Sequence, residues 1–291
     1  MAFTTLISAA ELRDRLAEPD FRIIDCRFDL GNPEAGRRAY LQGHIPGAVY
    51  ADLNRDLSSP VSATSGRHPL PSPADFAATL QRWAVGRTTQ VIAYDDSAGA
   101  YAARAWWLLR WMGHGGVAVL DGGIKSWLGI GGRLQAGEAE QSPAAAGAPE
   151  GDYAKAPRVK ASAVIDAAGV AARLQDPGFV LIDARAAERF SGSVEPIDSV
   201  AGHVAGAVNH PFSANLGADG RFLPAPELQR QWVKRLGGKK PEQAAVMCGS
   251  GVTACHNLLS LEVAGLPGAK LYAGSWSEWI RDPLRPIARG A

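Results

Sequence analysis

Cysteine is scarce in this chain, whose 291 residues contain only Cys26, Cys248 and Cys255. An odd number of cysteines without a Cys-x-x-Cys pair argues against a disulfide framework and against a four-cysteine zinc site. We therefore expect no metal ion. Any cysteine with a function is predicted to act as a free thiol in a reducing compartment, which favours a cytoplasmic protein.

Long apolar runs and an excess of charge of one sign are also missing. No apolar stretch reaches the ~18 residues of a membrane-spanning helix, and residues 1–5 have no basic region typical of a signal peptide. The 30 Lys and Arg residues nearly balance the 29 Asp and Glu residues. General attraction to nucleic acid or to an anionic membrane is therefore not expected.

The two halves of the chain carry similar motifs in the same order. Arg-Ile-Ile-Asp-Cys-Arg at 22–27 is similar to Val-Leu-Ile-Asp-Ala-Arg at 180–185. Gly-His-Ile-Pro-Gly-Ala-Val at 43–49 is similar to Gly-His-Val-Ala-Gly-Ala-Val at 202–208. Self-similarity of this kind indicates a duplicated domain. His44 and His203 occupy equivalent positions in both copies, so we interpret them as structural.

Composition places the junction between the copies. Residues 139–158 are rich in Ala, Gly, Pro and Glu and contain few large apolar side chains, as linkers do. We therefore predict one domain at 1–138, a linker at 139–158 and a second domain at 159–291. Within each half, short apolar runs alternate with helical segments, which predicts α/β domains built on parallel sheets.

Cys248 is the cysteine in a chemically suggestive setting. It follows an apolar run that ends at Met247, and a glycine-containing loop and a helix beginning near Val252 come next. Ligands of open α/β sheets bind at the carboxyl ends of the strands. Converging loop N–H groups and a helix N-terminus favour the thiolate, which is the attacking form of cysteine. For Cys26 and Cys255 we expect buried, unreactive thiols.

Two common kinds of cysteine enzyme do not fit this loop. A cysteine-dependent phosphatase needs an arginine six positions after its cysteine, where this chain has Ala254. A papain-like signature is missing as well. Sulfur chemistry remains, in which a thiolate takes up a sulfur atom and carries it as a persulfide.

These residues bring the chain to a known family, since it resembles tandem-rhodanese-domain sulfurtransferases over nearly its whole length. Cys-Gly-Ser-Gly-Val-Thr at 248–253 is similar to the active-site loop of the 3-mercaptopyruvate sulfurtransferase branch. The thiosulfate-using branch usually has basic residues at the second and third loop positions. Tyr40 with 43–48, and the segment 272–279, are similar to the two signature segments of the family.

The resemblance implies two tandem rhodanese-like domains, each a five-stranded parallel sheet with helices on both faces. It also implies that catalysis belongs to the second domain. Aligning Gly122 with Gly274 places Asp96 opposite Cys248, or Asp95 if the loop shifts by one residue. Either alignment leaves the first domain without a nucleophile.

The resemblance further implies roles for individual residues. Cys248 is the nucleophile, with Ser250 and His68 as a proton relay, and Arg189 holds the anionic end of the donor. The remaining loop residues implied to bind substrate are Gly249, Gly251, Val252 and Thr253.

The family pattern is incomplete at two places. A second arginine, common in the mercaptopyruvate branch, is missing from residues 194–198, so Arg185 or a group of the first domain is the candidate replacement. Asn54 stands where a carboxylate partner of the histidine is often found, which leaves Asp52 or Asp56 for that role.

The sequence therefore predicts a sulfurtransferase that works through a Cys248 persulfide and needs no cofactor. The donor is a small anion, with 3-mercaptopyruvate favoured and thiosulfate as the alternative. The acceptor is a thiol, cyanide or a thioredoxin-like protein. A non-catalytic module that binds persulfides or a protein partner is the alternative from another functional class.

Overall fold

The computed structural model describes residues 2–138, 153 and 159–290. The chain divides into two compact units, Met1–Ser59 with Pro71–Lys160 and Pro60–Leu70 with Ala161–Ala291. The predicted linker at 139–158 lies outside the described residues except for Tyr153. The sequence assigns segment 60–70 to the first domain, whereas its contacts group it with the second unit.

The first unit contains a parallel sheet in the strand order β1-β5-β4-β2-β3. The central strands are fully buried, as expected for a parallel sheet covered by helices. The strands are β1 (Leu6–Ile7), β2 (Phe21–Asp25), β3 (Val49–Tyr50), β4 (Gln90–Tyr94) and β5 (Val117–Leu120).

Two helices of this unit begin at side-chain caps. Ser8 and Glu11 form a capping box, and the Ser72 hydroxyl accepts the backbone N–H of Asp75 directly before a helix with proline at its first position. The helices are α1 (Ala9–Arg15), α2 (Glu34–Gln42), α3 (Pro73–Arg82), α4 (Ala102–Trp111) and α5 (Gly123–Gly129).

The second unit repeats this arrangement with one strand fewer. Its sheet has the order β10-β9-β6-β8, with parallel neighbours, and β7 pairs with β11 in a separate antiparallel ribbon. The strands are β6 (Val180–Asp183), β7 (His203–Val204), β8 (Val208–Asn209), β9 (Ala244–Met247), β10 (Lys270–Leu271) and β11 (Ile287–Ala288).

A fifth strand, expected for this sheet, is reduced to a single parallel bridge between Val164 and Leu271. The residues before Val164 form a 3-10 turn, Ala161–Ala163, so little extended chain is left to pair. This bridge lies beside the edge strand β10, as β1 lies beside β5 in the first unit. The α/β class and the presence of two parallel-sheet units, both predicted from the sequence, are confirmed.

Helices cover the second sheet as well. The largest fully buried side chains of this unit include Trp232, Trp276 and Trp279, which anchor α8 and α10. The helices are α6 (Ala167–Ala171), α7 (Ala187–Ser191), α8 (Ala225–Leu236), α9 (Thr253–Val263) and α10 (Ser275–Trp279). Within the described residues, none of the helices is both long and apolar enough to cross a bilayer.

Candidate active site

Cys248 is the first residue after the buried strand β9, and the loop that follows curls around its sulfur. The backbone N–H groups of Ser250 and Gly251 donate to Sγ at 3.5 and 3.2 Å. Helix α9 starts at Thr253, after Val252 as its N-cap residue, so its N-terminus adjoins the same loop. Donors and a helix N-terminus around one sulfur stabilise negative charge on it.

The start of α10 holds this loop in place from the other side. The N–H groups of Trp276 and Ser277 donate to the carbonyls of Cys248 and Gly249 at 3.0 and 2.9 Å. The Ser275 hydroxyl accepts the N–H of Cys248 at 3.1 Å. Ser275 is fully buried and has a φ of 54°, a conformation that non-glycine residues rarely adopt. This strained serine keeps the backbone at Cys248 in a fixed position.

Gly251 is required by the shape of the loop. Its φ is 77°, and a Cβ atom placed there would lie 2.4 Å from the carbonyl oxygen of Ala273. A side chain would therefore combine an unfavourable backbone conformation with a steric clash. The tight turn at Gly251 is what points two successive N–H groups at the sulfur.

His68 lies against the same loop, although it comes from a distant part of the sequence. Its Nδ1 is 2.8 Å from Ser250 Oγ, and both residues are buried. This bond lies inside the second unit, because residues 60–70 belong to it. The predicted Ser250–His68 pair is thus in hydrogen-bond contact, which is the geometry that proton transfer needs.

Arg189 projects from α7 into a group of carboxylates. Its Nη2 donates to Glu195 Oε1 at 2.8 Å and to Asp198 Oδ2 at 2.9 Å, and its Nε also donates to Glu195. Burial acts to raise the pKa of Glu195. The hydrogen bonds from Arg189 and from two backbone N–H groups outweigh burial, so the pKa of Glu195 is lowered.

Arg67 is a second guanidinium at the loop, and the sequence did not single it out. A Cβ atom built on Gly249 would lie 2.8 Å from Arg67 Nη2 and 3.5 and 3.6 Å from the two Nη atoms of Arg189. Arg67 also forms an ion pair with Asp198. The residue next to the cysteine therefore faces two arginines.

Arg185, one of the predicted substrate-binding residues, is engaged in a structural role. Its guanidinium forms a buried pair with Asp183 and donates to the Gly202 carbonyl at 2.8 Å. In the first unit Arg27 forms the same pair with Asp25 and donates to the Gly43 carbonyl. A contact present in both units stabilises the fold, so we do not assign Arg185 a role in binding the sulfur donor.

The predicted structural histidines behave alike in both units. His44 Nδ1 lies 2.9 Å from the Tyr40 carbonyl and its ring stacks on Tyr40. His203 Nδ1 lies 2.7 Å from the Phe190 carbonyl and its ring stacks on Phe190. Each imidazole links a helix to an extended segment that comes later in the chain.

Strand register identifies the residue of the first unit that is equivalent to Cys248. Asp25 pairs with Tyr94, as Asp183 pairs with Met247, so Asp95 follows its strand where Cys248 follows β9. The alignment that placed Asp96 opposite Cys248 is off by one residue. Asp95 lies 27 positions before Gly122, whereas Cys248 lies 26 positions before Gly274. Asp95 is fully buried, and its carboxylate accepts four backbone N–H groups at 2.8 Å, those of Ser97, Gly99, Tyr101 and Ala102.

The other two cysteines are in different surroundings. Cys26 is buried beside carboxylates, and burial together with the charges of Asp95 and Asp25 raises the pKa of Cys26. Cys255 is buried in α9, where its sulfur lies 3.3 Å from the Gly251 carbonyl. All three thiols are free.

The carboxylates considered as partners of His68 have roles in the first unit. Asp52 Oδ1 accepts the N–H groups of Asn54 and Arg55 and so closes a turn. Asp56 accepts the N–H of Asp52 and a guanidinium hydrogen bond from Arg82. Across the described residues, no group of three or more His, Cys, Asp or Glu side chains is placed to hold a metal ion.

Arg67 and Ser275 are the site residues that the sequence reasoning missed. Arg67 directly precedes His68, so the loop that supplied the histidine candidate also contained the arginine. Ser275 lies in the second signature segment, where the first half has Gly123 at a φ of 58°. A serine at a position where the other copy uses a left-handed glycine was the available signal.

Comparison with known proteins links this geometry to one family. The Rhodanese-like domain family matches residues 8–129 and 166–282. A Pseudomonas aeruginosa protein named "Probable 3-mercaptopyruvate sulfurtransferase" is 51% identical over 292 residues, covering 100% of both chains. The thiosulfate sulfurtransferase of Rattus norvegicus is 32% identical over 97% of this chain and 93% of its own length. The structure of 3-mercaptopyruvate sulfurtransferase from Leishmania major has 28% identity and a TM-score of 0.79, covering 97% of this chain and 76% of that one.

Proposed function

Because the chain belongs to the rhodanese family, we propose that it is a sulfurtransferase that carries sulfur as a persulfide on Cys248. One observation carries this proposal: the sulfur of Cys248 accepts two loop N–H groups while two guanidinium groups lie beside the adjacent Gly249. The first feature stabilises a thiolate, and the second offers guanidinium N–H groups that can hold the anionic end of a donor beside it.

The preferred donor in this proposal is 3-mercaptopyruvate. The Cys248 thiolate attacks the donor sulfur, a new S–S bond forms, and the C–S bond breaks with its electron pair moving to carbon. The resulting enolate takes up the proton that the donor thiol releases, which yields pyruvate and a Cys248 persulfide anion. No outside oxidant or reductant is needed, because the carbon is reduced as the sulfur is oxidised.

Ser250 and His68 are suited to move that proton. The serine hydroxyl lies in the loop around the reacting sulfur, and the imidazole Nδ1 is 2.8 Å away. Imidazole can accept and return a proton near neutral pH. The Ser250–His68 pair is therefore suited to carry the thiol proton, and both side chains are buried.

A second nucleophile completes the cycle. A thiolate or cyanide attacks the outer sulfur of the persulfide, and Cys248 leaves as a thiolate, which makes the reaction ping-pong. The acceptor is a small thiol, cyanide or a thioredoxin-like protein. The nearly balanced charge of the chain supports a small-molecule system without nucleic acid or membrane partners. The need for a reduced thiol supports a cytoplasmic location.

The test is a mass measurement of the protein after incubation with each donor. With 3-mercaptopyruvate, the wild type should gain one sulfur atom, located on the peptide that contains Cys248, and lose it on addition of cyanide. Cys248→Ser should gain none, while Cys26→Ala, which removes another buried thiol, should behave as the wild type.

Two results would change the assignment. A wild-type protein that gains no sulfur from either 3-mercaptopyruvate or thiosulfate contradicts the enzyme assignment and leaves the binding module. A kcat/KM that is higher for thiosulfate than for 3-mercaptopyruvate replaces the preferred donor by the alternative one.

A further inference from the structure

Segment 60–70 brings a positive charge to the active-site loop. Its backbone is bonded to α10 and to the turn after it: the N–H of Arg67 donates to Ser277 Oγ at 3.0 Å, and Arg281 donates to the Ala63 carbonyl at 3.0 Å. A Cβ atom on Gly66 would lie 2.4 Å from the Gly274 carbonyl, so only glycine permits this close approach. These contacts fix the backbone of the segment, and with it the point from which the Arg67 side chain extends to the loop.

A buried carboxylate joins this arginine to the one on α7. Asp198 accepts a hydrogen bond from Arg189 Nη2 at 2.9 Å through one oxygen and pairs with Arg67 through the other. The Asp198 side chain is only 4% exposed. The two guanidinium groups are therefore held side by side across one carboxylate, within reach of the residue that follows Cys248.

One hydrogen-bond donor of the Arg67 side chain has no acceptor in the described part of the protein. This donor is the buried Nε. Leaving a buried N–H group of a charged side chain unpaired is unfavourable, so such a group points to a ligand that accepts it. The position beside Gly249 is where the anionic end of a donor would approach the loop.

The charges of this arginine cluster cancel. Three arginines stand against three carboxylates, and the ion pairs connect all six side chains in one network. The six are Arg67, Arg185, Arg189, Asp183, Glu195 and Asp198. Because the network is neutral before a donor binds, every negative charge of a donor must be held by local hydrogen bonds without a surplus positive charge. This is less favourable for a dianion than for a monoanion.

From these contacts, and building on the proposed function, we infer that Arg67 is the second donor-binding arginine, and that Asp198 makes the site selective for a singly charged donor. Arg67 then takes the place of the arginine that is missing from residues 194–198. Asp198 pairs with both guanidinium groups and adds one negative charge to the cluster. This negative charge disfavours a dianion such as thiosulfate relative to a monoanion such as 3-mercaptopyruvate.

The experiment compares steady-state kinetics of four variants with both donors. Arg67→Gln should raise KM for 3-mercaptopyruvate about 10- to 100-fold, the range expected for loss of a charged hydrogen bond, with a smaller change in kcat. Arg67→Lys should recover part of this loss, because charge is kept and the planar fork is not. Arg230→Gln, an exposed arginine on α8, should leave all constants unchanged.

Asp198→Asn tests the selectivity. It removes one negative charge while preserving shape, so kcat/KM for thiosulfate should rise about tenfold relative to that for 3-mercaptopyruvate. Inhibition by pyruvate, which carries one carboxylate and undergoes no sulfur transfer, gives a binding measurement independent of chemistry. The inhibition constant of pyruvate should be higher for Arg67→Gln than for the wild type, by about the same factor as KM for 3-mercaptopyruvate.

The outcomes separate this inference from the function it rests on. If the wild type forms a persulfide but Arg67→Gln keeps its KM and its pyruvate inhibition, the role of Arg67 is refuted. If Asp198→Asn changes both donors by the same factor, the selectivity is refuted. If the wild type forms no persulfide, the proposed function itself fails, and circular dichroism spectra of the variants show whether any of them failed to fold.

Discussion

Replacing Asp95 by asparagine should strongly destabilise the first unit, although the change removes a single charge and almost no volume. Each carboxylate oxygen of Asp95 accepts two backbone N–H groups, all at 2.8 Å, in a fully buried loop. Asparagine keeps one oxygen and presents an NH₂ group in place of the other. Whichever way the amide turns, two buried N–H donors lose their acceptor.

The magnitude follows from that count. An unsatisfied buried donor costs about 1–3 kcal/mol, so two of them cost about 2–6 kcal/mol in the free energy of unfolding. For a unit of this size, each kcal/mol corresponds to roughly 2–4 °C in Tm. The matched control is Asp96→Asn at the neighbouring exposed position, which should stay within about 0.5 kcal/mol of the wild type.

The assay is urea denaturation and differential scanning calorimetry of the full chain, with persulfide formation on Cys248 as a report on the second unit. Asp95→Asn should shift the unfolding transition of the first unit, whereas Asp96→Asn should not. Equal stabilities of the two variants, or a larger effect at Asp96, would refute the conclusion that the four hydrogen bonds of Asp95 stabilise the first unit.

Three further outcomes are expected. Gly251→Ala and Gly265→Ala both place alanine at a φ above 70°, which lowers the free energy of unfolding by about 1–2 kcal/mol each. Only at Gly251 would the added Cβ also lie 2.4 Å from the Ala273 carbonyl oxygen. Calorimetry should therefore show the larger loss of stability for Gly251→Ala, and equal losses would contradict the steric argument. The pKa of Glu195 is lowered in the folded protein. Its ionised form therefore stabilises the fold at pH above the usual pKa of glutamate, and this stability is lost as the pH falls through the pKa of the folded state. Tm of the wild type should drop more steeply on acidification than Tm of Glu195→Gln, and parallel profiles would contradict this contribution of Glu195. Iodoacetamide should leave Cys26 unmodified in the folded protein, since burial and nearby carboxylates raise the pKa of that thiol, and peptide mapping that finds early alkylation there would overturn this.

Much of the fold was predictable because it depends on local pattern. The capping box at Ser8, the Ser72 cap before Pro73 and the apolar run 90–94 each specify an element through neighbouring residues alone. The strand, loop and helix around Cys248 were predictable for the same reason. The missing fifth strand of the second sheet was not, since pairing at a sheet edge depends on how much extended chain reaches it.

The sequence by itself determined the duplication, the α/β class and the strand, glycine-containing loop and helix around Cys248, and the resemblance to the family supplied the candidates Ser250, His68 and Arg189. Repeats, apolar runs and glycine positions act over short stretches of chain and are visible in the order of residues. Only the tertiary structure decided that Asp95 is the residue equivalent to Cys248, because strand register, not spacing from a glycine, defines equivalence.

Only the tertiary structure, too, brought Arg67 to Gly249 and joined it to Arg189 through Asp198. Arg67 lies more than a hundred positions before both Asp198 and Gly249 in the sequence. Its contacts with them depend on segment 60–70 packing with the second unit. Hydrogen bonds and ion pairs are set by distances in space, which sequence separation does not encode. The scarcity of cysteine identified the candidate nucleophile, and the packing of distant segments defined the charges that surround it.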